Sequence, residues 1–193
     1  MSIIFPPLES ASPEGLLAIG GHIDNQTLLV AYSQGIFPWP ISKESPLTWF
    51  SPDPRGLIFT KDFHLSKSLT KFIKSTSMQV RFNHNFDEVL KNCAEAKRKN
   101  ESWIWITDEI INGYSNFCKA GDAYSVEVYK DEELVGGLYG VIIGKYLSGE
   151  SMFHKETNAS KLALYSLISI FSPFSFTICA LLPNDSNTSF DLI

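Results

Sequence analysis

At 193 residues, with 44% hydrophobic and 19% charged side chains, the chain can bury a core, and its balance excludes a disordered polymer. A net charge of -5 excludes a globally basic nucleic-acid binder, so any phosphate-bearing partner needs a local basic face. Cys93, Cys118 and Cys179 lack metal or C-x-x-C spacing, and no leader or apolar run of about 20 residues occurs, so the expectation is a cytoplasmic protein without metal or membrane span.

Eight prolines, Pro6, Pro7, Pro13, Pro38, Pro40, Pro46, Pro52 and Pro54, precede Gly56 and leave little room for helices. Residues 1–53 therefore read as a small, turn-rich, proline-rich N-terminal domain, and 54–193 as the main domain. One helix fits in the first part, Gln26 to Gln34, with Leu28, Leu29 and Tyr32 on its apolar face, Asn25 as cap and Gly35 as stop.

Beyond Arg55 strands and helices alternate. Gly56 to Phe59 reads as extended, Leu65 to Lys74 as helix and Met78 to Phe82 as strand. Two helices follow, Phe86 to about Lys97 with Asn85 as cap, and Asp108 to Lys119 between Thr107 and Gly121. Tyr124 to Tyr129 and Glu133 to Ile143, joined by Lys130-Asp131-Glu132, predict a β-hairpin, with a further strand over Lys145 to Ser148. Ala159 to Ile170 has helical spacing after Asn158, and a last strand follows, so the fold class is α+β.

Three constellations carry chemistry. Lys67, Lys71 and Lys74 share one helix face, which either contacts phosphates or is simply solvated. Trp39, Trp49, Trp103 and Trp105 lie in turn-like segments, where an indole either packs in the core or walls a pocket for an apolar ligand or a base. Glu150, among small and apolar residues after a predicted strand, either holds an ammonium group or accepts a proton, or it caps a turn. Neither a P-loop nor a dinucleotide fingerprint occurs, and Ser151 lacks the setting of a nucleophile elbow.

Read in order, SPEGLLAIGG (Ser12 to Gly21), AYSQGIFPW (Ala31 to Trp39), WFSPDPRG (Trp49 to Gly56), WIT (Trp105 to Thr107), SVEVY (Ser125 to Tyr129), LVGGLYGV (Leu134 to Val141), SGESMF (Ser148 to Phe153) and NASK (Asn158 to Lys161) resemble the bacterial leucyl/phenylalanyl-tRNA-protein transferases. The resemblance implies a GNAT-like acyltransferase domain behind a proline-rich N-terminal domain, working without metal or other cofactor; the sequence leaves the oligomeric state open, and a monomer is the starting assumption. Its implied partners are aminoacyl-tRNA carrying Leu, Phe or sometimes Met, and proteins beginning with Arg or Lys, which the transfer marks for degradation. By motif position it implies that Trp39 and Trp105 contact the 3'-terminal adenosine and aminoacyl ester. Leu138, Leu147, Leu167 and Phe171 then line the apolar pocket, Glu150 stands near the reacting amine, and Lys67, Lys71 and Lys74 contact tRNA.

The pattern changes near the end. The family carries an Asp-x-Gln pair on its last strand, and the alignment of Pro183-Asn184-Asp185 places Cys179 at the Asp and Leu181 at the Gln. Leu has no hydrogen-bonding group and a thiol is a weak donor, so a lost polar group of this kind costs about 3 to 4 kcal/mol in the transition state. From Ser169 onward SIFSPFSFTICALL departs from the family, and the chain stops at Ile193 where family members continue, which reads first as a shifted reading frame. A natural variant of altered chemistry, or a copy that binds charged tRNA without turnover, are the other readings. A small-molecule acyltransferase is disfavoured because no Gly-rich pyrophosphate loop occurs.

Overall fold

Short pieces of structure between prolines give way to long strands and helices in a computed structural model that describes residues 4–42, 44–96, 106–172 and 176–180. In chain order the elements are β1 (Leu16–Ile19), α1 (Asn25–Ser33), β2 (Phe37–Pro38), β3 (Thr48–Phe50), β4 (Leu57–Phe59), α2 (Lys67–Ser75), β5 (Gln79–Phe82), α3 (Phe86–Glu95), α4 (Asp108–Lys119), β6 (Ala123–Lys130), β7 (Glu133–Ile143), β8 (Tyr146–His154), α5 (Ala159–Phe171) and β9 (Thr177–Ala180). The class is α+β, with a three-stranded sheet ordered β1-β3-β2 and a six-stranded sheet ordered β4-β9-β8-β7-β6-β5.

By compactness the chain divides into Met1–Arg55 with Ala94–Ala123, and Gly56–Cys93 with Tyr124–Ile193. The first unit thus takes in a segment, Ala94–Ala123, that the sequence reading assigned to the main domain. The reason is packing between α1 and α4. Tyr32 and Tyr114 bring their buried phenol oxygens into hydrogen-bond contact, Tyr32 stacks on Phe117, and Gly113 leaves room for Ile23.

Capping explains where the helices begin. The cap of α1 is Asp24, where the sequence suggested Asn25, and its carboxylate accepts the Thr27 N–H at 2.8 Å. That backbone bond holds the Asp24 pKa below its ordinary value against the opposing effect of burial. Ser66 caps α2, so the helix starts later than Leu65. Asn85 and Glu88 bond reciprocally at the start of α3, and Thr107 caps α4. Asn158, expected to cap α5, instead takes a left-handed φ of 67° and makes no side-chain cap bond.

In the second unit, β4 pairs antiparallel with β9, β5 with β6 and β7 with β8, while β8 and β9 run parallel. The turn from β6 to β7 places Asp131 and Glu132 at φ 50° and 63°, the primed geometry of a tight hairpin. α5 covers one face of this sheet, burying Leu162, Leu164, Leu167 and Ile168 with Val126, Val128, Leu138, Leu147 and Ile178. The close approach is possible because Gly136 has no side chain: a Cβ there would lie 2.5 Å from that of Ala159. No helix among the described residues is long and apolar enough to cross a membrane.

Candidate functional site

The strand expected to end at Ser148 continues to His154, so Glu150 lies inside β8 and not in a segment after it. What broke the sequence pattern is a bulge. Tyr139 pairs with Ser151 and Gly140 with Gly149, which leaves Glu150 opposite no residue of β7. The parallel pairing of β8 with β9 runs from Tyr146 opposite Thr177 to Gly149 opposite Ala180, so the bulge follows the last pair described on both sides. A bulge re-aims its side chain out of the regular alternation. Here the re-aimed group is a carboxylate with only 4% of its surface exposed.

The phenol of Tyr124, on β6, senses that carboxylate. Burial pushes the Tyr124 pKa far above the usual tyrosine range, and the charges of Glu150 and Tyr146 add to the rise. Tyr124 therefore stays protonated and can donate, and its hydroxyl donates to the Ser148 carbonyl at 3.4 Å.

Leu138, Leu147 and Leu167 come together in the apolar cluster beneath α5, each at most 3% exposed. Phe171, half-buried at the end of α5, packs against the same cluster, with its ring 4.5 Å from that of Phe176. These four expected pocket residues therefore share one apolar region of the second unit. On α2, Lys67, Lys71 and Lys74 are all exposed, while Leu69 is buried and Phe72 and Ile73 pack inward. Amphipathic spacing thus turns the three ammonium groups to solvent together.

Trp39 belongs to the first unit. It is half-buried, its backbone N–H donates to the Thr48 carbonyl at 2.9 Å, and its ring meets Phe37 edge-on at 6.4 Å. Arg55 stacks over the other ring of this pair, 4.7 Å from the Phe37 centroid, and donates to the Gly35 carbonyl at 2.8 Å. Trp105 and Leu181 lie outside the described residues. The Cys179 backbone sits in β9, opposite Ser148 on one side and Leu57 on the other.

Sequence reasoning missed Tyr124 and Glu127. Glu127 is fully buried in β6 and accepts from the His84 and Asn85 backbone N–H groups and from the Ser125 hydroxyl, which fits a structural carboxylate. A charged residue inside an apolar strand was the available signal. Among the described residues no group of three or more His, Cys, Asp or Glu could hold a metal ion.

The sequence profile described as leucyl/phenylalanyl-tRNA protein transferase matches residues 57–181, and that of the same family's N-terminal domain matches 21–53. The first match runs past Ser169, where the sequence reading placed the departure from the family. A leucyl/phenylalanyl-tRNA--protein transferase of Pseudoalteromonas atlantica is 52% identical over 171 residues, covering 88% of this chain and 72% of that one. One from Flavobacterium johnsoniae is 46% identical over 165 residues, covering 86% and 77%. A solved ribosomal-protein-alanine N-acetyltransferase from Brucella melitensis biovar Abortus 2308 superposes with a TM-score of 0.39 at 14% identity, over 61% of this chain and 91% of that one. With both profiles matched in order and relatives near half identical over most of their length, the chain belongs to the leucyl/phenylalanyl-tRNA protein transferase family.

Proposed function

We propose that this protein transfers Leu, Phe and less readily Met from aminoacyl-tRNA to the N-terminal Arg or Lys of acceptor proteins, marking them for degradation. The observation that carries this reading is the buried Glu150 carboxylate on its bulge, in the same unit as the apolar cluster of Leu138, Leu147, Leu167 and Phe171, in a chain of this family.

The chemistry asks little of a covalent relay, because an aminoacyl ester is already activated. The neutral amine attacks the ester carbonyl, the new amide C–N bond forms, the C–O bond to the terminal ribose breaks, and the amine proton ends on the ribose oxygen. Glu150 orients the amine. The four apolar residues hold the transferred side chain, whose size they select within the roughly 1 to 3 kcal/mol that one methylene is worth. Trp39 and Trp105 flank the terminal adenosine and ester, and Lys67, Lys71 and Lys74 take tRNA phosphates. Residues 1–53 act as the N-terminal domain and 54–193 as the GNAT-like catalytic domain, in a cytoplasmic monomer without cofactor.

Incubation of the purified protein with tRNA charged with labelled Leu or Phe and a peptide beginning with Arg tests the proposal. Label appearing in the peptide, and absent when the peptide begins with acetyl-Arg, supports it. No labelled peptide at any tRNA concentration overturns it.

A further inference from the structure

Tyr124 stands on β6, yet its phenol acts on β8, with β7 lying between them in the sheet. The path crosses Gly140. A Cβ on Gly140 would lie 2.6 Å from the phenol oxygen and 2.0 Å from the Ser148 carbonyl oxygen, so any side chain there would close the passage. Glycine is present where the phenol passes. The Tyr124 hydroxyl donates to the Ser148 carbonyl at 3.4 Å, and the gap at Gly140 holds the phenol in line for that bond.

The place where Tyr124 bears on β8 is the one that matters for Glu150. Ser148 and Gly149 are the last residues of β8 paired in register with both neighbours before the bulge, Ser148 with Val141 and Cys179, Gly149 with Gly140 and Ala180. Glu150 follows directly, outside that register. A bulge frees one residue from the ladder, and something else must then fix its direction.

We propose that Tyr124 is a positioning residue for the transfer reaction: its phenol fills the gap at Gly140, braces the Ser148 carbonyl and so fixes the bulge that aims the Glu150 carboxylate. The inference rests on the reading of Glu150 as the group that orients the acceptor amine. A hydroxyl is needed because it is the atom that reaches the carbonyl; the ring alone stops short. Burial raises the pKa of that hydroxyl, so it is a donor at neutral pH.

The test compares the full chain with its Tyr124→Phe variant in two measurements. Leu transfer to an Arg-starting peptide is followed under single turnover across pH, and the Glu150 carboxyl carbon is followed by NMR in protein labelled at Glu, its resonance assigned with Glu150→Gln. The expected result is a transfer rate lower by about tenfold to a hundredfold with peptide KM nearly unchanged, and a displaced Glu150 resonance, at an unaltered melting temperature. A wild-type rate with an unmoved resonance overturns the inference. If the unmodified chain transfers nothing, the proposed function falls and takes the catalytic part of the inference with it, while the resonance decides its structural part: displaced supports Tyr124 as the group that aims Glu150, unmoved overturns it. Should the Phe variant not fold, 4-fluorophenylalanine placed at 124 fills the space of the hydroxyl without being able to donate and gives the same resonance comparison, with the same two outcomes.

Discussion

Glu127 and Asn85 join the middle of β6 to the start of α3, the carboxylate accepting the Asn85 backbone N–H at 3.2 Å. The same carboxylate accepts the His84 N–H at 3.1 Å and the Ser125 hydroxyl at 2.6 Å, all from a fully buried position. Replacing Glu127 by Ala strands these donors and should cost about 2 to 4 kcal/mol in urea unfolding. Gln keeps one acceptor oxygen and should cost roughly half as much. An Ala variant as stable as the parent would show that the three bonds contribute nothing.

The contact between β7 and α5 predicts a second loss. Gly136→Ala places a methyl 2.5 Å from the Ala159 Cβ and 3.1 Å from its backbone carbon, and backbone cannot swing aside as a long side chain can. Overpacking of this sort costs about 1 to 3 kcal/mol. Thermal unfolding of the variant reads it directly, and an unchanged melting temperature would mean that α5 shifts freely on the sheet.

Stability should also depend on pH through the α1 cap. The Asp24 pKa is depressed in the folded chain, chiefly by the Thr27 N–H, so its stabilisation is present above the unfolded carboxylate pKa and is lost as pH falls through the lower folded value. Asp24→Ala should therefore cost about 1 kcal/mol at pH 7 and progressively less below about pH 4. A gap between variant and parent that stayed constant down to pH 2 would contradict the sign.

Charge reversal at Lys67, Lys71 and Lys74 tests the basic face. If the three exposed ammonium groups meet phosphates, the triple Glu variant should bind tRNA at least about tenfold more weakly at low salt. The slope of log affinity against log salt should also become shallower by roughly 2. Equal affinity and equal slope in parent and variant would remove these lysines from the tRNA contact.

The register of β9 offers a gain-of-function experiment. Cys179 enters the sheet opposite Ser148, a residue of the strand that carries Glu150, at the position where the sequence reading expects the family's Asp. The double variant Cys179→Asp, Leu181→Gln should transfer Leu at least about a hundredfold to a thousandfold faster than the parent, the range for a single restored preorganised polar group being the lower bound for two. Equal rates would show that the residues at 179 and 181 do not limit the reaction.

Most elements were legible because local chemistry announces them. Thr107 ahead of Asp108 and Glu109 marked the start of α4, and the charged turn at Asp131 and Glu132 marked the hairpin of β6 and β7. Glu150 could be singled out as a carboxylate among apolar residues, but its place within β8 could not, because a bulge interrupts the period of two on which strand recognition depends. Tyr124 was hidden for another reason. Its partners, Gly140 and Ser148, are on other strands, and nothing local distinguishes its aromatic ring from ordinary core. Ala94–Ala123 joined the first unit through pairs such as Tyr32 and Tyr114, far apart in the chain, which no local pattern encodes.

The six-stranded sheet places β9 between β4 and β8, so β4 has its pairing partner on the last described strand. During translation at about 5 to 20 residues per second, the roughly 120 residues from β4 to β9 take about 6 to 24 s to emerge. Leu57 and Phe59 stay about half exposed even in the finished fold, and until β9 arrives the backbone of β4 has no ladder to join. The nascent chain thus carries a short, sticky strand through most of its synthesis, and a ribosome stalled before codon 177 would hold it open to the cell's holdases.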